Sequence, residues 1–425
     1  MRTSHIIARY RARMPATVRP ITPEEQPAWF RAFSSSFYIW LYDANALAAA
    51  RRDHFDPARM IAAFEGDRIV GTFHTFTAQL TLPGGARVPV NSVTAVSTLP
   101  THRRRGVLTG LMADDVARSV TRGDAASVLI SAEWPIYGRF GYGPATWNAT
   151  WTLRTRAAEI AGEPSGSVEI IEALEARSIL PDLYERYAAA QPGELSRPDH
   201  KWDVDLGLIE LPGRPRWRGS IAVHRSAAGE LDGYARYHGE EVWPDGIPDN
   251  VMHLDELHGV TVEAEVELWR YLAQFDLTAT IKAETRRERE PLQWYLSDGR
   301  AARTTGLTDF LWVRPLDVPR LLGERRYDRD GGLVLEVRDV VDGSDGPAAG
   351  RYRLDVRGGA AECERTGSKP DLTLDARTLG AVSLGGTRLI DASRAVDTVE
   401  ARPGALAEAS ALLLADEPPW CSTWF

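Results

Sequence analysis

The chain has 425 residues, which is too long for one ordinary hydrophobic core; a typical domain size of about 150 residues predicts two or three domains. Its hydrophobic fraction of 44% and charged fraction of 26% are those of a folded globular protein and exclude global disorder. The net charge of −9 argues against nucleic acid as a partner and favours cationic ligands.

The two cysteines, Cys363 and Cys421, exclude a disulfide framework and a four-thiolate metal site. We expect two buried free thiols, with a single bridge between them as the alternative. No apolar run approaches the roughly 18 residues that cross a bilayer, and the first fourteen residues lack the apolar stretch of a secretory signal. The sequence predicts a cytoplasmic protein without membrane contact, with residues 1–16 as a disordered tail.

The first region, residues 17–155, alternates helical and strand patterns. A helix start is predicted at Thr22, with Pro23 in its first turn and Glu25 at the capping-box position. Hairpins are predicted around residues 65–67 and 80–90. A strand over 93–98, a helix over 106–120 and a short buried strand over 127–131 complete this region.

The second region, residues 156–308, shows strand patterns at 234–237 and 251–254, a helix over 262–275 and a strand over 277–281. This order echoes the first region. In the third region, residues 309–425, the patterns predict helices and strands in alternation. The helices are expected at 316–322, 378–384 and 405–415, and the strands at 333–337, 352–356 and 372–374.

Residues 101–106, THRRRG, follow a predicted strand and open a predicted helix. The backbone N–H groups and the dipole at such a helix start form a site for pyrophosphate. Gly106 allows a close approach of the backbone, and the arginines supply charge-assisted hydrogen bonds to phosphate. Taken alone, a basic turn of this kind is more often a solvated surface loop.

This segment resembles the GNAT acetyltransferase superfamily, whose Gln/Arg-x-x-Gly-x-Gly/Ala signature binds the pyrophosphate of CoA. Arg103, Gly106 and Leu108 occupy its positions, so a leucine stands where the signature has a small residue. Residues 93–109, 136–146 and 418–425 are similar to one branch, the enhanced intracellular survival (Eis) family, which tolerates leucine there. The resemblance spans nearly the whole chain.

The resemblance implies a mixed α+β and α/β fold of tandem GNAT-like domains followed by a sterol-carrier-protein-like α+β domain. Residues 17–155 would be the catalytic domain that binds acetyl-CoA, and residues 156–308 a degenerate copy. Residues 309–425 would be the carrier-like domain with a catalytic C-terminus. The resemblance also implies a homo-oligomer, a hexamer.

Site residues follow from the same resemblance. Tyr137 would be the general acid that protonates the departing thiolate, whereas Tyr142 is assigned to packing. The carboxylate of Phe425, at the end of the apolar segment 418–425, would be the general base, since an α-carboxylate is ionised at neutral pH. The cofactor-binding residues would be Val93, Ala95, Val96, Arg103, Arg104, Arg105, Gly106, Val107, Thr109 and Ala132.

A cationic substrate requires carboxylates and aromatic faces. The candidates are Trp40, Asp43, Glu133 and Trp134. Family members often carry two glycines where this chain has Trp134 and Pro135, which predicts a reshaped substrate pocket.

We therefore expect direct acetyl transfer from acetyl-CoA to primary amines of aminoglycoside-like polycationic molecules, an activity associated with antibiotic resistance. Two alternatives stay open: acetylation of protein or peptide lysines, and a non-catalytic protein that binds a lipid or an acyl-CoA. Asp255, Glu256 and His258 lack a compatible third ligand and metalloprotease spacing, so no metal site is predicted.

Overall fold

The computed structural model describes residues 16–37, 43–51, 56–213, 215–341, 343–395 and 398–425. Up to residue 154 the described strands are β1 (Thr17–Pro20), β2 (Met60–Glu65), β3 (Arg68–Thr81), β4 (Arg87–Thr98), β5 (Ala126–Ile130), β6 (Gly143–Pro144) and β7 (Trp147–Arg154). The next are β8 (Ser167–Ile171), β9 (Ser220–Arg225), β10 (Leu231–Glu240), β11 (Asn250–Gly259), β12 (Thr278–Arg286), β13 (Ala302–Asp309) and β14 (Leu311–Pro315). The last are β15 (Gly331–Arg338), β16 (Val340–Val341), β17 (Ser344–Asp345), β18 (Gly350–Arg357), β19 (Ala360–Arg365), β20 (Leu372–Asp375) and β21 (Glu400–Ala401).

The described α-helices lie between these strands. Those that begin before residue 200 are α1 (Gln26–Ser36), α2 (Ala44–Arg51), α3 (Val107–Arg122), α4 (Trp134–Tyr137), α5 (Ala173–Ala190) and α6 (Asp199–Asp205). Those after it are α7 (Val262–Ala273), α8 (Leu292–Tyr295), α9 (Val318–Gly323), α10 (Ala376–Val382), α11 (Leu389–Ala395) and α12 (Ala405–Leu413).

The strands form three main sheets, one for each predicted region. Their strand orders are β1-β2-β3-β4-β5-β14-β6, β13-β7-β12-β11-β10-β9-β8 and β19-β18-β15-β20-β21. The first two sheets are mixed, because β4 pairs parallel with β5, and β11 parallel with β12. We call the bodies around them the first, second and third units.

The first two sheets exchange strands. β7 follows β6 directly in the chain but pairs with β12 and β13 of the second sheet. β14 comes after the second unit, yet it pairs with β5 and β6 of the first sheet. The boundaries proposed from the sequence, near residues 155 and 308, therefore lie beside the exchanged strands.

The elements predicted from apolar periodicity are present in the structure. The hairpin turn at residues 65–67 is confirmed, with Glu65 paired to Arg68, and the helix expected over 106–120 is α3. The helices and strands expected in the second and third regions are also present, with ends shifted by a few residues. Both thiols are free as predicted; Cys421 is buried, and Cys363 is half-buried.

A gap opens between the two central strands of the first sheet. β4 pairs with β5 only over Val90–Val93, opposite Ala126–Leu129, and then continues to Thr98 paired with β3 alone. Just beyond the last pair, Ala95 has a φ of +51°, and two residues of β4 there oppose a single residue of β3. Such a bulge re-aims the strand and leaves backbone groups out of the ladder.

The two faces of this sheet are covered differently. On one face, α3 packs closely against β3: a Cβ atom on Gly71 would lie 2.7 Å from Val107 Cγ1. Val93 and Leu129 belong to the core on this side. On the other face, Val90 and Val128 share a core with Cys421, and Phe425 packs against it. The gap is thus bordered by α3 on one side and by the C-terminal residues on the other.

A buried polar network ties α3 to the sheet below the gap. The Asn91 amide donates to both oxygens of Asp115, at 3.1 and 2.9 Å, while Asn91 Oδ1 accepts from Arg122 at 2.8 Å. Asp115 is completely buried, and this burial raises the pKa of its carboxyl group to about 7, against the opposing effect of Arg122. The helix therefore carries a carboxylate that costs stability when it ionises.

This network predicts how stability depends on pH. Because the folded-state pKa of Asp115 exceeds its ordinary value of 3.8, its favourable contribution is complete below pH 4 and is lost as the pH rises through about 7. Asp115→Asn keeps an acceptor for Asn91 and cannot ionise. We expect the difference in unfolding free energy between the variant and the parent to increase by on the order of 1–3 kcal/mol from pH 5 to pH 9, measured by urea unfolding.

The matched control is Asp114→Asn in the same helix, since Asp114 pairs with the partly exposed Arg118. For that variant the expected change is below about 1 kcal/mol at either pH. Unfolding free energies of parent and Asp115→Asn that run parallel from pH 5 to pH 9 would contradict the assignment.

Candidate active site

The loop between β4 and α3 carries three exposed arginines on a fixed backbone. Its buried His102 contacts Glu65 Oε2 through Nε2 at 2.9 Å, which ties the loop to the β2–β3 turn. Arg104 has a φ of +60°, and Gly106 has a φ of +82° at the N-cap of α3. The first N–H groups of α3 have no intrahelical partner, so the loop presents donors and positive charge together.

A cavity of about 190 Å³ lies along α3 beyond this loop. It is open to the surface and bordered by four parts of the chain: α3, the turn after Tyr137, β14, and a hairpin of the third unit. The lining residues are Thr109, Met112, Val116, Arg139, Phe140, Arg314, Val340 and Val341. Arginines and apolar side chains together suit a ligand with both a phosphate and a flat apolar part.

Tyr137 ends the short helix α4, which follows β5. Only 8% of its surface is exposed, and burial, with a smaller effect of Glu133, raises the pKa of its hydroxyl to about 12. The hydroxyl therefore keeps its proton across the physiological range. Tyr142 packs edge-on against Tyr137, is fully buried, and places its hydroxyl 2.8 Å from Ser127 Oγ. That is the environment of a packing residue.

The predicted cofactor residues fall into two groups. Val93 is buried, and Ala95 and Val96 lie half-buried at the bulge beside the gap. Arg103, Arg104, Arg105 and Gly106 are exposed in the loop; Thr109 lines the cavity, and Ala132 is exposed after β5. The side chain of Val107 points into the core, so only its backbone can reach a ligand.

The predicted substrate residues are less concentrated. Trp40 lies outside the described residues. Asp43 is exposed and caps α2 by accepting from the N–H groups of Asn45 and Ala46, at 2.8 and 2.9 Å. Glu133 is exposed, and Trp134 is 45% exposed, with its ring centroid 5.0 Å from that of Trp312. Glu133 and Trp134 thus share the short segment that carries Tyr137.

Two hydroxyl groups beside the gap were not predicted from the sequence. Ser92 Oγ in β4 and Ser131 Oγ after β5 are both buried and have no hydrogen-bond partner within the described residues. A buried hydroxyl normally has a partner, so an unpaired one at a cleft suits a bound ligand. Serines are common in strands, and nothing in the local pattern distinguishes these two.

The C-terminal residues lie on the face of the first sheet opposite α3. The ring of Phe425 packs edge-on against Phe76 of β3, with centroids 5.4 Å apart. Trp420 and Cys421 are buried, whereas Trp424 is 65% exposed and packs against Phe310. The prediction that this segment docks on the body of the protein is confirmed.

The second unit has a similar separation of strands, but its own side chains fill the gap. β11 leaves β12 after Leu254 and Ala283. Arg286 bridges the separated strands by donating to the Leu257 carbonyl and to the Glu290 carboxylate. At the start of α7, the Thr261 hydroxyl accepts from Ala264 N and caps the helix. This unit thus lacks the open gap and basic loop of the first.

Two broader properties concern the whole described chain. None of its described helices combines the length and apolar character that a bilayer crossing requires. The described residues also contain no cluster of three histidine, cysteine or acidic side chains placed to hold a metal ion.

Comparison with known families and proteins gives a consistent result. The acetyltransferase (GNAT) domain matches residues 17–145 and again residues 193–315, and the sterol carrier protein domain matches residues 318–422. These matches confirm the predicted fold class of two GNAT domains followed by a sterol-carrier-like domain.

Individual relatives cover nearly the whole chain. An uncharacterized N-acetyltransferase of Streptomyces avermitilis is 39% identical over 414 residues, 96% of this chain and 98% of the relative. N-acetyltransferase Eis of Mycobacterium tuberculosis is 33% identical over 384 residues, 88% of this chain and 91% of the relative. The crystal structure of Eis1 from Mycobacterium abscessus, 29% identical, superposes with a TM-score of 0.84 and covers 96% of this chain and 100% of its own. The chain therefore belongs to the Eis family of GNAT N-acetyltransferases, enzymes that take their acetyl group from acetyl-CoA.

Proposed function

We propose that this enzyme transfers acetyl directly from acetyl-CoA to primary amines of aminoglycoside-like polycationic molecules. The observation that carries the proposal is the gap between β4 and β5. The basic loop and Tyr137 lie on one side of it, and Phe425 lies on the other. Donor and acceptor can then approach the gap from opposite faces, as direct transfer within one complex requires.

The residues at the gap suit the steps of that transfer. Arg103, Arg104, Arg105 and the first N–H groups of α3 would hold the pyrophosphate, and the cavity beside Thr109 would take the adenosine end. As the amine nitrogen bonds to the carbonyl carbon, negative charge develops on the carbonyl oxygen. A backbone N–H at the bulge of Ala95 and Val96 can stabilise that charge.

Two proton transfers complete the reaction. The carboxylate of Phe425 would take the proton that the amine loses, directly or through water. As the carbon–sulfur bond breaks, Tyr137 would donate its proton to the sulfur; with a pKa near 12, the phenol still carries that proton when the step begins. No acyl-enzyme is needed: Cys421 is buried, and its burial raises the pKa of the thiol.

The substrate class rests on charge and aromatic surface. The chain carries a net charge of −9, and Glu133 and the half-exposed Trp134 stand beside Tyr137. Such a pairing recognises ammonium groups through ionic and cation–π contacts. Protein or peptide lysine is the alternative acceptor, and a non-catalytic lipid or acyl-CoA binder is the alternative function. The proposal includes a hexamer, as the Eis resemblance implies, and a cytoplasmic location.

A panel of amines separates these functions. We expect CoA release with aminoglycosides and linear polyamines to exceed that with lysine peptides at equal concentration. Faster release with the peptides would favour the alternative acceptor. An acyl ligand that copurifies with the protein, together with no CoA release for any amine, would identify a binding protein.

Tyr137→Phe tests the general acid. The variant keeps the ring and loses the hydroxyl that donates the proton. We therefore expect kcat to fall about 100-fold or more while the KM for acetyl-CoA stays within about twofold. In the parent, ionisation of the Tyr137 hydroxyl should not lower kcat at any pH up to 10, because its pKa is about 12. Tyr142→Phe is the control: it loses a buried hydroxyl that contacts Ser127, so its Tm should fall and its kcat should not. Equal kcat values for Tyr137→Phe and the parent would refute the role.

Gly106→Ala tests the phosphate loop. A left-handed backbone costs alanine about 1 kcal/mol or more, so the substitution should distort the loop at the N-cap of α3. We expect at least tenfold weaker acetyl-CoA binding by calorimetry. Gly123→Ala, at the other end of α3, imposes the same backbone penalty at a φ of +80°, and its Cβ would meet open space. Similar losses of binding in both variants would show that the loop does not contact the cofactor.

Trp134→Gly tests the substrate wall. The KM for a bulky polycationic amine should rise about threefold or more, whereas the KM for acetyl-CoA should not change. The control is Trp294→Gly in α8, the corresponding short helix of the second unit, where the tryptophan is 89% exposed. If Trp134→Gly leaves the amine KM unchanged for every member of the panel, Trp134 does not contact the substrate.

A further inference from the structure

The segment between Trp420 and Thr423 is held by buried polar side chains on and after α5. Glu194 lies on the loop after this helix, and its carbonyl accepts from Thr81 N of β3 at 3.0 Å, so the loop joins the second unit to the first sheet. The Glu194 carboxylate accepts from Ser422 N at 2.9 Å and from Ser422 Oγ at 2.7 Å, and Cys421 Sγ lies 3.5 Å from it. Glu194 has no exposed surface. A buried carboxylate that accepts several hydrogen bonds from one short segment fixes the position of that segment closely.

Arg197 and Tyr184 hold the next residue from the other side. Arg197 donates through Nε to Thr423 Oγ1 at 2.9 Å, and through Nη2 to Ser422 Oγ at 3.0 Å. The Tyr184 hydroxyl lies 2.7 Å from Thr423 Oγ1. Arg197 is itself fixed by Glu256 of β11, with 2.6 Å between Nη1 and Oε1. The contacts at Ser422 and Thr423 therefore form one network with the second sheet.

Trp420 anchors the segment at the filled gap of the second unit. Its ring centroid lies 5.9 Å from that of His258, and the Arg286 guanidinium lies over the ring at 5.3 Å. Its indole N–H donates to Asn148 Oδ1 at 2.6 Å, on the exchanged strand β7. In the second unit, Trp420 therefore packs at the place that corresponds to the open gap of the first unit.

Only two peptide units separate Thr423 from Phe425. An extended chain covers at most about 3.6 Å per residue, so the position of Thr423 restricts the terminal carboxylate to within about 7–8 Å along the chain. Phe425 then packs on Phe76 of the first sheet, beside the gap. An error of about 1 Å in the position of a reacting group is enough to lower a rate strongly.

We propose that the second GNAT unit acts as the anchor that positions the terminal carboxylate for proton transfer in the first unit, with Glu194 as the principal positioning residue. The inference rests on the proposed role of Phe425 as the base. It gives the second unit a part in acetyl transfer that does not require it to bind acetyl-CoA.

A double-mutant cycle on the full-length chain tests this anchor. One change is Glu194→Gln, which keeps the shape of the side chain but leaves a single oxygen where two now accept from Ser422, Leu195 and Cys421. The other is an extension of two glycines after Phe425, which displaces the carboxylate and leaves the cofactor loop intact. The readouts are kcat, the KM for acetyl-CoA, the pH profile of kcat and Tm.

The anchor predicts a specific pattern in this cycle. Each change alone should lower kcat at least tenfold with an unchanged KM for acetyl-CoA, and each should abolish the same acidic limb of the pH profile. The two changes together should be no worse than the extension alone, because Glu194 acts only through the carboxylate. Glu267→Gln is the control: it breaks a largely buried ion pair with Arg270 in the same unit and should leave kcat unchanged.

Thr423→Val replaces Glu194→Gln in the cycle if the latter variant does not fold. It preserves the shape of the side chain and removes the hydroxyl that contacts Tyr184 and Arg197, and it should follow the same non-additive pattern.

Three results would overturn the anchor. In the first, Glu194→Gln or Thr423→Val folds and keeps full kcat. In the second, the loss of rate multiplies with that of the extension, so that the residue acts independently of the carboxylate. In the third, the extended chain keeps full kcat, which removes the base and the anchor together while acetyl transfer itself still stands. A parent that releases no CoA with any amine would instead contradict the proposed function.

Discussion

The separation of β4 from β5 after Val93 and Leu129 is the feature on which the rest of the first unit depends. Two paired strands would satisfy each other's backbone and leave no room for a substrate. The bulge at Ala95 turns β4 away, and α3 covers one face while the C-terminal residues cover the other. The basic loop and Tyr137 can reach a ligand only because they border this opening.

The second unit shows what the same separation becomes when side chains close it. Arg286 takes the hydrogen-bonding positions between β11 and β12, and Thr261 satisfies the helix start that would otherwise receive an anion. A buried arginine has to be paired, which accounts for the carboxylates of Glu290 and Glu265 beside it. These charged side chains fill the gap and pack against the ring of Trp420, so the gap has no room for a cofactor.

Local patterns in the sequence predict the helices and strands of this arrangement and, from the apolar residues between Trp420 and Phe425, the docking of the C-terminal segment. The basic loop before Gly106 is visible between a strand and a helix, but only the family resemblance gives it a ligand. The exchange of β7 and β14 could not be predicted, because an alternating strand reads the same in either sheet. Glu194 and Arg197 resemble a solvated loop locally; their burial depends on partners more than two hundred residues away. Asp43 satisfies a helix end, a role that its charge alone does not reveal.

The strand exchange also governs the order in which the molecule can be built. During synthesis, β1 to β6 leave the ribosome long before β14, yet β14 is the strand that lies between β5 and β6. The first sheet therefore stays incomplete, with the edge of β5 unpaired beside the gap, until residue 315 has been made. By then the second sheet has gained β7, so neither unit matures as an autonomous module.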